Sequence, residues 1–104
     1  MNRESFRRFE SDVEIERMRQ VNKWGEQHYH DGTSRAGDDM AANRARSSCD
    51  ARAALGLCTW RDILNKEIAE AFAERDPIKL RTELVQCAAV IAAWLEDIDS
   101  RETK

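Results

Sequence analysis

The stretch that decides the fold is residues 60–98, which read WRDILNKEIAEAFAERDPIKLRTELVQCAAVIAAWLEDI. Residues 60–75 carry apolar side chains along one helical stripe. Asp76-Pro77 ends that helix, because aspartate is a preferred N-cap and proline a preferred first residue of the next helix. Residues 77–100 keep apolar side chains at i, i+4, i+7 spacing. The sequence therefore predicts two long helices that fold back antiparallel across a short turn.

Three glutamates lie on these two helices where they would meet. Glu67 and Glu70 are one turn apart on the same face, and Glu83 lies near the start of the next helix. If the helices pack together, three carboxylates converge between apolar surfaces, which is costly unless a cation neutralises them. A divalent metal that holds a phosphorylated substrate is one explanation. The alternative is solvated helix faces with ordinary ion pairs, Lys66–Glu70 and Lys79–Glu83.

The last helix is too apolar for a helix on the surface of a single chain. Between Leu84 and Leu95 the only polar side chain is Gln86. A helix that is apolar on all sides is expected to be buried on all sides. A chain of 104 residues buries only a modest part of its surface. We therefore expect a homodimer or homotetramer assembled across this helix, which Val90→Glu or Trp94→Glu would break.

The first part of the chain predicts one amphipathic helix followed by a polar loop. Apolar residues recur on one helical face over residues 10–28, with Gly25 interrupting the pattern near its end. Residues 1–9 are polar and basic and form either a frayed lead-in or the start of this helix. The loop, residues 28–37, carries polar groups suited to ligand contact.

Two further boundaries complete the predicted architecture. A second helix is expected to begin with Asp38 or Asp39 as its N-cap and to run to Leu55. Thr59 is expected to cap the helix that follows, with an acidic residue in the first turn. The fold class predicted is all-α, an antiparallel bundle of about four helices completed by oligomerisation, with residues 1–104 as a single domain.

Composition narrows the function classes. The net charge of −3 argues against a nucleic-acid binder that works by neutralising phosphates. No signal peptide is recognised, and the apolar run at 87–95 is too short to span a bilayer. The three cysteines, Cys49, Cys58 and Cys87, form no CxxC pair, so we interpret them as reduced thiols that fill small buried spaces. A cytoplasmic protein is expected.

One family resemblance adds to these expectations. The run Glu67-Ile68-Ala69-Glu70, then twelve residues, then Glu83-Leu84-Val85-Gln86 resembles the MazG-like family of all-α nucleotide pyrophosphohydrolases. That family carries EExxE on one helix and ExxD on the next, and includes dUTPase- and dCTPase-type enzymes. The similarity covers residues 12–100. The run from Arg19 to Gln27, with the Asp-Gly-Thr that follows it, is similar to small phage and actinobacterial proteins of this group.

The resemblance implies a Mg²⁺-dependent enzyme, with Mn²⁺ as the alternative ion. It would cleave a ribo- or deoxynucleoside triphosphate to the monophosphate and pyrophosphate. Glu67, Glu70 and Glu83 would be the catalytic carboxylates and metal ligands, assisted by Gln86. Two positions depart from the family pattern, because Lys66 replaces the first glutamate of EExxE and Gln86 replaces the aspartate of ExxD. The alternative is therefore a catalytically weakened bundle that binds a nucleotide or a partner without hydrolysing it.

The resemblance also implies residues that bind the substrate. Trp24 would stack on the base and Gln27 or His28 would contact its edge. Phosphate contacts are expected from basic side chains, Lys23, Lys66 and Arg81. For Trp24 a core aromatic position is the alternative, and for His28 a solvated loop.

Overall fold

A computed structural model of the chain describes residues 1–102. It contains four helices in chain order, α1 (Arg3–Trp24), α2 (Asp38–Ala54), α3 (Trp60–Ala73) and α4 (Pro77–Glu102). No strand occurs over the described range, which confirms the prediction of an all-α chain with about four helices. The chain divides into two compact units. We call Gly32–Ile91 the central unit, and Met1–Asp31 with the chain from Ala92 onward the terminal unit.

The start of α3 is fixed by a reciprocal cap. The Thr59 hydroxyl accepts a hydrogen bond from the Asp62 backbone N–H at 3.2 Å, and an Asp62 carboxylate oxygen accepts one from the Thr59 N–H at 2.9 Å. Arg52 on α2 donates to the same carboxylate at 2.8 Å. These bonds from Thr59 and then Arg52 hold the pKa of Asp62 below its ordinary value. The predicted cap at Thr59 is confirmed, and it is joined to the end of α2.

The predicted break between α3 and α4 is also present. The Asp76 carboxylate accepts a hydrogen bond from the Ile78 N–H at 3.1 Å, and Pro77 is the first residue of α4. Helix α3 ends at Ala73, two residues before the predicted end, because Glu74 adopts an extended conformation. A connection of three residues therefore joins the two helices that carry the glutamates.

Small side chains form the interior of the central unit. Ala71 of α3 and two residues of α4, Leu80 and Cys87, form one buried cluster with Ile68 packed against it. Helix α2 packs on α3 and buries three small residues spaced i, i+3, i+7: Ala42, Ala45 and Cys49. The predicted α3 stripe is only partly buried, since the Phe72 side chain is 55% exposed.

Helix α1 begins as the second of the two alternatives predicted, and it ends earlier than predicted. The Asn2 side chain caps its first turn by accepting hydrogen bonds from the Glu4 and Ser5 N–H groups. Residues 3–9 therefore belong to the helix and are not a frayed lead-in. At the other end the helix stops at Trp24, because Gly25 takes a φ of +70° and leaves the helical path.

The N-cap of α2 was predicted one or two residues too late, at Asp38 or Asp39. Its N-cap is Gly37, at a left-handed φ of +91° that favours glycine. Asp38 is the first helical residue, and its carboxylate accepts a hydrogen bond from the Arg35 N–H at 2.8 Å. The preceding loop is held to the end of α3, where the Ser34 N–H donates to the Phe72 carbonyl and the Thr33 hydroxyl to the Glu74 carbonyl.

Polar contacts join α1 to the last part of α4 in the terminal unit. The Asn2 N–H donates to Glu96 at 2.9 Å, and Arg8 pairs with Asp99 at 3.2 Å. Helix α1 contains no buried residue. The apolar stripe predicted for it is exposed: Val13, Ile15, Met18 and Val21. None of the helices, over the residues described, combines the length and apolarity needed to cross a membrane.

Candidate metal centre

Three glutamates from two helices meet in the central unit. Glu67 and Glu70 of α3 and Glu83 of α4 each offer one carboxylate oxygen, and these oxygens all lie within 4.8 Å of one another. All three residues are partly buried. Oxygens at this separation can bind one divalent cation, because Mg²⁺ and Ca²⁺ take oxygen ligands at roughly 2.0–2.6 Å. The convergence that the sequence predicted is therefore present.

Two of the three carboxylates have a cationic neighbour. The Lys66 ammonium lies 3.8 Å from a Glu67 oxygen, and the Arg46 guanidinium lies 3.7 Å from a Glu70 oxygen. The latter contact joins α2 to α3 and differs from the Lys66–Glu70 pair expected from helical spacing. These two cations offset part of the negative charge but leave the third carboxylate unpaired.

Glu83 is the unpaired member. Its Oε2 atom is shielded from solvent and has no hydrogen-bond partner. Burial raises the pKa of Glu83, and the negative charges of Glu70, Glu67 and Glu74 raise it further, against an opposing effect of Arg46. A buried carboxylate oxygen without a partner is costly, and a cation at this point would supply the missing interaction.

A cavity of about 470 Å³ lies beside these carboxylates. Its volume is in the range of small-molecule sites, about 300–1,000 Å³. One wall carries the acids Glu70, Glu74 and Glu83. The other comes from α2, where the Arg46 guanidinium donates to the Asn43 side chain at 3.0 Å. The lining residues are Asp39, Ala42, Asn43, Arg46, Glu70, Ala73, Glu74 and Glu83.

The α2 wall was missed when the site was predicted from the sequence. Asp39, Asn43 and Arg46 are spaced i, i+4, i+7, so they share one helical face. The sequence of α2 does indicate this wall, because a polar face adjoins a stripe of small buried residues. That combination indicates a helix that packs closely while presenting ligands.

Two other predicted site residues of the central unit lie on the surface. Gln86 is exposed on α4, one turn beyond Glu83, and Arg81 is exposed on the same helix. Lys66 is partly buried and close to Glu67. Of the predicted phosphate contacts, Lys66 therefore lies in contact with the carboxylate cluster. Gln86 as a metal ligand and Arg81 as a phosphate contact therefore stay predictions.

The predicted base-binding residues belong to the terminal unit. Trp24 is 56% exposed, so the alternative of a core aromatic is wrong for the single chain. The Lys23 ammonium lies 4.8 Å from the centre of the Trp24 ring. Gln27 donates to the Tyr29 hydroxyl at 3.2 Å, and a His28 ring nitrogen lies 3.2 Å from a Glu26 oxygen. Their part in binding a substrate stays a prediction.

Comparison of the chain with protein-family models, curated proteins and solved structures gives no match. Function must therefore be inferred from the chemistry of the carboxylates and the cavity. Clustered carboxylates can hold a divalent ion, and Arg46 in the lining of the same cavity can contact an anionic ligand. A phosphorylated molecule bound through a metal meets both conditions.

Proposed function

We propose that this protein is a Mg²⁺-dependent nucleoside triphosphate pyrophosphohydrolase of MazG-like type, acting on the nucleotide pool of the cytoplasm. One observation carries the proposal. Three carboxylates converge within 4.8 Å, and one of them has a buried oxygen without a partner. The resemblance of residues 67–70 and 83–86 to the EExxE and ExxD motifs supports the same assignment.

The donor set fits a hard divalent cation. Glu67, Glu70 and Glu83 present only oxygen atoms, which Mg²⁺ and Mn²⁺ prefer over softer ligands. Gln86 would assist through its amide oxygen. When bound, such an ion neutralises phosphate charge and lowers the pKa of water. In its absence Lys66 and Arg46 offset part of the charge, so the carboxylates tolerate their proximity.

The chain's own residues would orient the substrate. Arg46 and Asn43 line the same cavity as the acids, and their side-chain N–H groups can donate hydrogen bonds to phosphate oxygens. Water attacks the α-phosphorus, the bond to the bridging oxygen breaks, and pyrophosphate leaves. A carboxylate accepts the proton of the attacking water, with Glu70 preferred and Glu74 as an outer helper. The resemblance assigns the base to Trp24, Gln27 and His28, and this assignment stays a prediction.

The test is a pyrophosphate-release assay across ribo- and deoxynucleoside triphosphates, with and without Mg²⁺. We expect release from one or a few substrates. Glu67→Ala should reduce it by at least about 10³-fold, because a metal ligand contributes several kcal/mol to the transition state. Glu10→Ala, at an exposed position of α1, is the matched control. Equal rates for the wild type and Glu67→Ala would remove Glu67 from the site.

A non-catalytic nucleotide binder is the second candidate. It is favoured by Lys66, whose ammonium lies against Glu67 in place of a further carboxylate, and by the uncharged Gln86. The double variant Lys66→Glu with Gln86→Asp restores the family pattern and separates the two functions. A large gain of activity from an inactive wild type would support the binder. An active wild type would exclude it.

A second copy of the chain is the proposed partner. Leu84, Ala88 and Ile91 of α4 are exposed and are spaced i, i+4, i+7, which forms one apolar stripe. This spacing is typical of helices that pair along a seam. The stripe supports the proposed homodimer or homotetramer, with α3 and α4 as an antiparallel pair in each copy.

A further inference from the structure

Two of the three cysteines lie side by side. Cys49 is in α2, and Cys58 is in the connection that leads to the Thr59 cap of α3. Their sulfur atoms are 3.9 Å apart, which is van der Waals contact. Both are free thiols in this structure. The third, Cys87, belongs to the buried cluster of α3 and α4.

We propose that Cys49 and Cys58 form a site of reversible oxidation, at which a hydroperoxide converts the two thiols into a disulfide. A disulfide needs sulfurs about 2.0 Å apart, so they must approach by roughly 2 Å. Cys58 lies in a connection and is only partly buried, so rotation of its side chain can supply much of this movement. The proposal does not depend on the proposed hydrolase activity.

The surroundings of the two thiols set the order of the steps. Cys58 is the more accessible, whereas Cys49 is 8% exposed. Burial raises the pKa of Cys49, and its hydrogen bond with Cys58 raises it further, which makes Cys49 the weaker first nucleophile. Burial also raises the pKa of Cys87, and Glu67 and Glu83 add to this effect.

The chemistry balances with one peroxide per disulfide. The Cys58 thiolate attacks a peroxide oxygen of H₂O₂, the O–O bond breaks, and Cys58 becomes a sulfenic acid with release of hydroxide. The Cys49 sulfur then attacks the Cys58 sulfur. The S–O bond breaks, the S–S bond forms, and the oxygen leaves as water. Two thiols lose two electrons to the peroxide, and two water molecules are produced in total.

The disulfide would link α2 to the start of α3, where hydrogen bonds already join the two helices. Arg52 of α2 donates to Asp62 of α3 and also to the Leu57 carbonyl at 3.1 Å. A disulfide between Cys49 and Cys58 adds a covalent link between the helix that carries Arg46 and the start of the helix that carries Glu67. Reduction by a dithiol would reverse it.

The test uses the full reduced chain, treated with stoichiometric H₂O₂ and mapped by non-reducing mass spectrometry. We expect an intramolecular Cys49–Cys58 link, a fall from three free thiols to one, and a Tm higher by about 5–10 °C, reversed by dithiothreitol. Cys87→Ser should give the same link. In Cys49→Ser, dimedone should label Cys58, whereas in Cys58→Ser it should leave Cys49 unlabelled.

Three results would overturn the proposal. One is a wild type in which Cys58 is oxidised to the sulfinic acid with no intramolecular link. The second is a link that includes Cys87, and the third is a link that forms only between chains. Because the wild type alone gives each of these results, the test does not depend on how well the serine variants fold.

Discussion

The two units of this protein use their side chains in opposite ways. The central unit buries small apolar residues and brings three carboxylates together around an unpaired buried oxygen. The terminal unit contains a 22-residue helix without a buried residue, and the apolar stripe of that helix is exposed at Val13, Ile15, Met18 and Val21. The central unit has a buried cluster, but its carboxylates are unbalanced in charge and its α4 stripe of Leu84 and Ile91 is exposed. The terminal unit has polar contacts between its two ends, and the apolar stripe of α1 is exposed. In the proposed function, a cation balances the carboxylates and a second chain covers the α4 stripe, both in the central unit.

The largest effect is expected at the exposed stripe of α4. Ile91→Glu places a charge where the proposed second copy would bury it, so the assembly should fall apart into monomers, with a loss of at least 100-fold in association constant. Light scattering and analytical ultracentrifugation measure the mass. Lys79→Glu adds the same side chain at an exposed polar position of α4 and should leave the mass unchanged. A wild type that is monomeric at all concentrations would contradict the expectation.

Ile91 is a better position for this test than the sites chosen from the sequence alone. Val90 and Trp94 are partly buried in the single chain. A glutamate at either position would disturb the fold of the chain as well as its assembly. Ile91 is 40% exposed, so its substitution separates the two effects.

The next effect concerns the α2 wall of the cavity. Arg46→Ala removes the cation that faces the acids, and kcat/KM for the triphosphate should fall by about 10- to 100-fold, since hydrogen bonds to charged groups contribute about 1.5–3 kcal/mol. Arg44→Ala is the matched control, because Arg44 is exposed and does not line the cavity. Equal losses in the two variants would mean that Arg46 has no specific contact with substrate.

A smaller effect is expected at Glu83, where a substitution should raise the stability of the fold. In the metal-free protein Glu83→Gln removes an unpaired buried charge and should stabilise the fold by about 1–3 kcal/mol at neutral pH. The pKa of Glu83 is raised in the folded state. At pH values just above the ordinary pKa of 4.5, the folded state therefore binds more protons than the unfolded chain. Wild-type stability therefore decreases as pH rises through this window.

The measurement is the difference in Tm between Glu83→Gln and the wild type as a function of pH, without metal. We expect the difference to be largest near neutral pH and to shrink as the pH falls toward 4.5. Glu10→Gln at an exposed position supplies the control. A variant less stable than the wild type at every pH would show that the charge of Glu83 is satisfied in the folded state.

The smallest effect is expected when the N-cap side chain of α3 or of α1 is removed. Thr59→Ala removes the cap of a helix that contributes to the buried cluster, and should lower stability by about 1 kcal/mol, or 4–8 °C in Tm. Asn2→Ala removes the cap of α1, which contains no buried residue, so local fraying should cost less. Thermal unfolding followed by circular dichroism measures both. A greater loss for Asn2→Ala would reverse the contrast between the units.

The start of α3, the break before α4 and the carboxylate cluster followed from local signals in the sequence. Thr59, Asp76 and Pro77 act through neighbouring backbone groups, so their positions predict where α3 begins and where the chain breaks before α4. The convergence of Glu67, Glu70 and Glu83 follows from helical spacing and the short connection. These features need no knowledge of distant packing.

Features that depend on tertiary contact were missed. Arg46 reaches Glu70 only because α2 packs on α3, and no local pattern specifies that pairing. The contact of Cys49 with Cys58 likewise requires the turn between α2 and α3 to fold back. For α1 the sequence predicted a contact that is absent from the described residues. Its amphipathic spacing predicts a buried face, whereas α1 buries none of its residues.

The most direct test of the metal centre is the binding of Mn²⁺ measured by electron paramagnetic resonance. Binding broadens the signal of free Mn²⁺, so even weak sites can be titrated. We expect a single site per chain for the wild type, displaced by Mg²⁺ and lost in Glu83→Gln. If the wild type and Glu83→Gln removed equal amounts of free Mn²⁺, the three carboxylates would not form a metal centre.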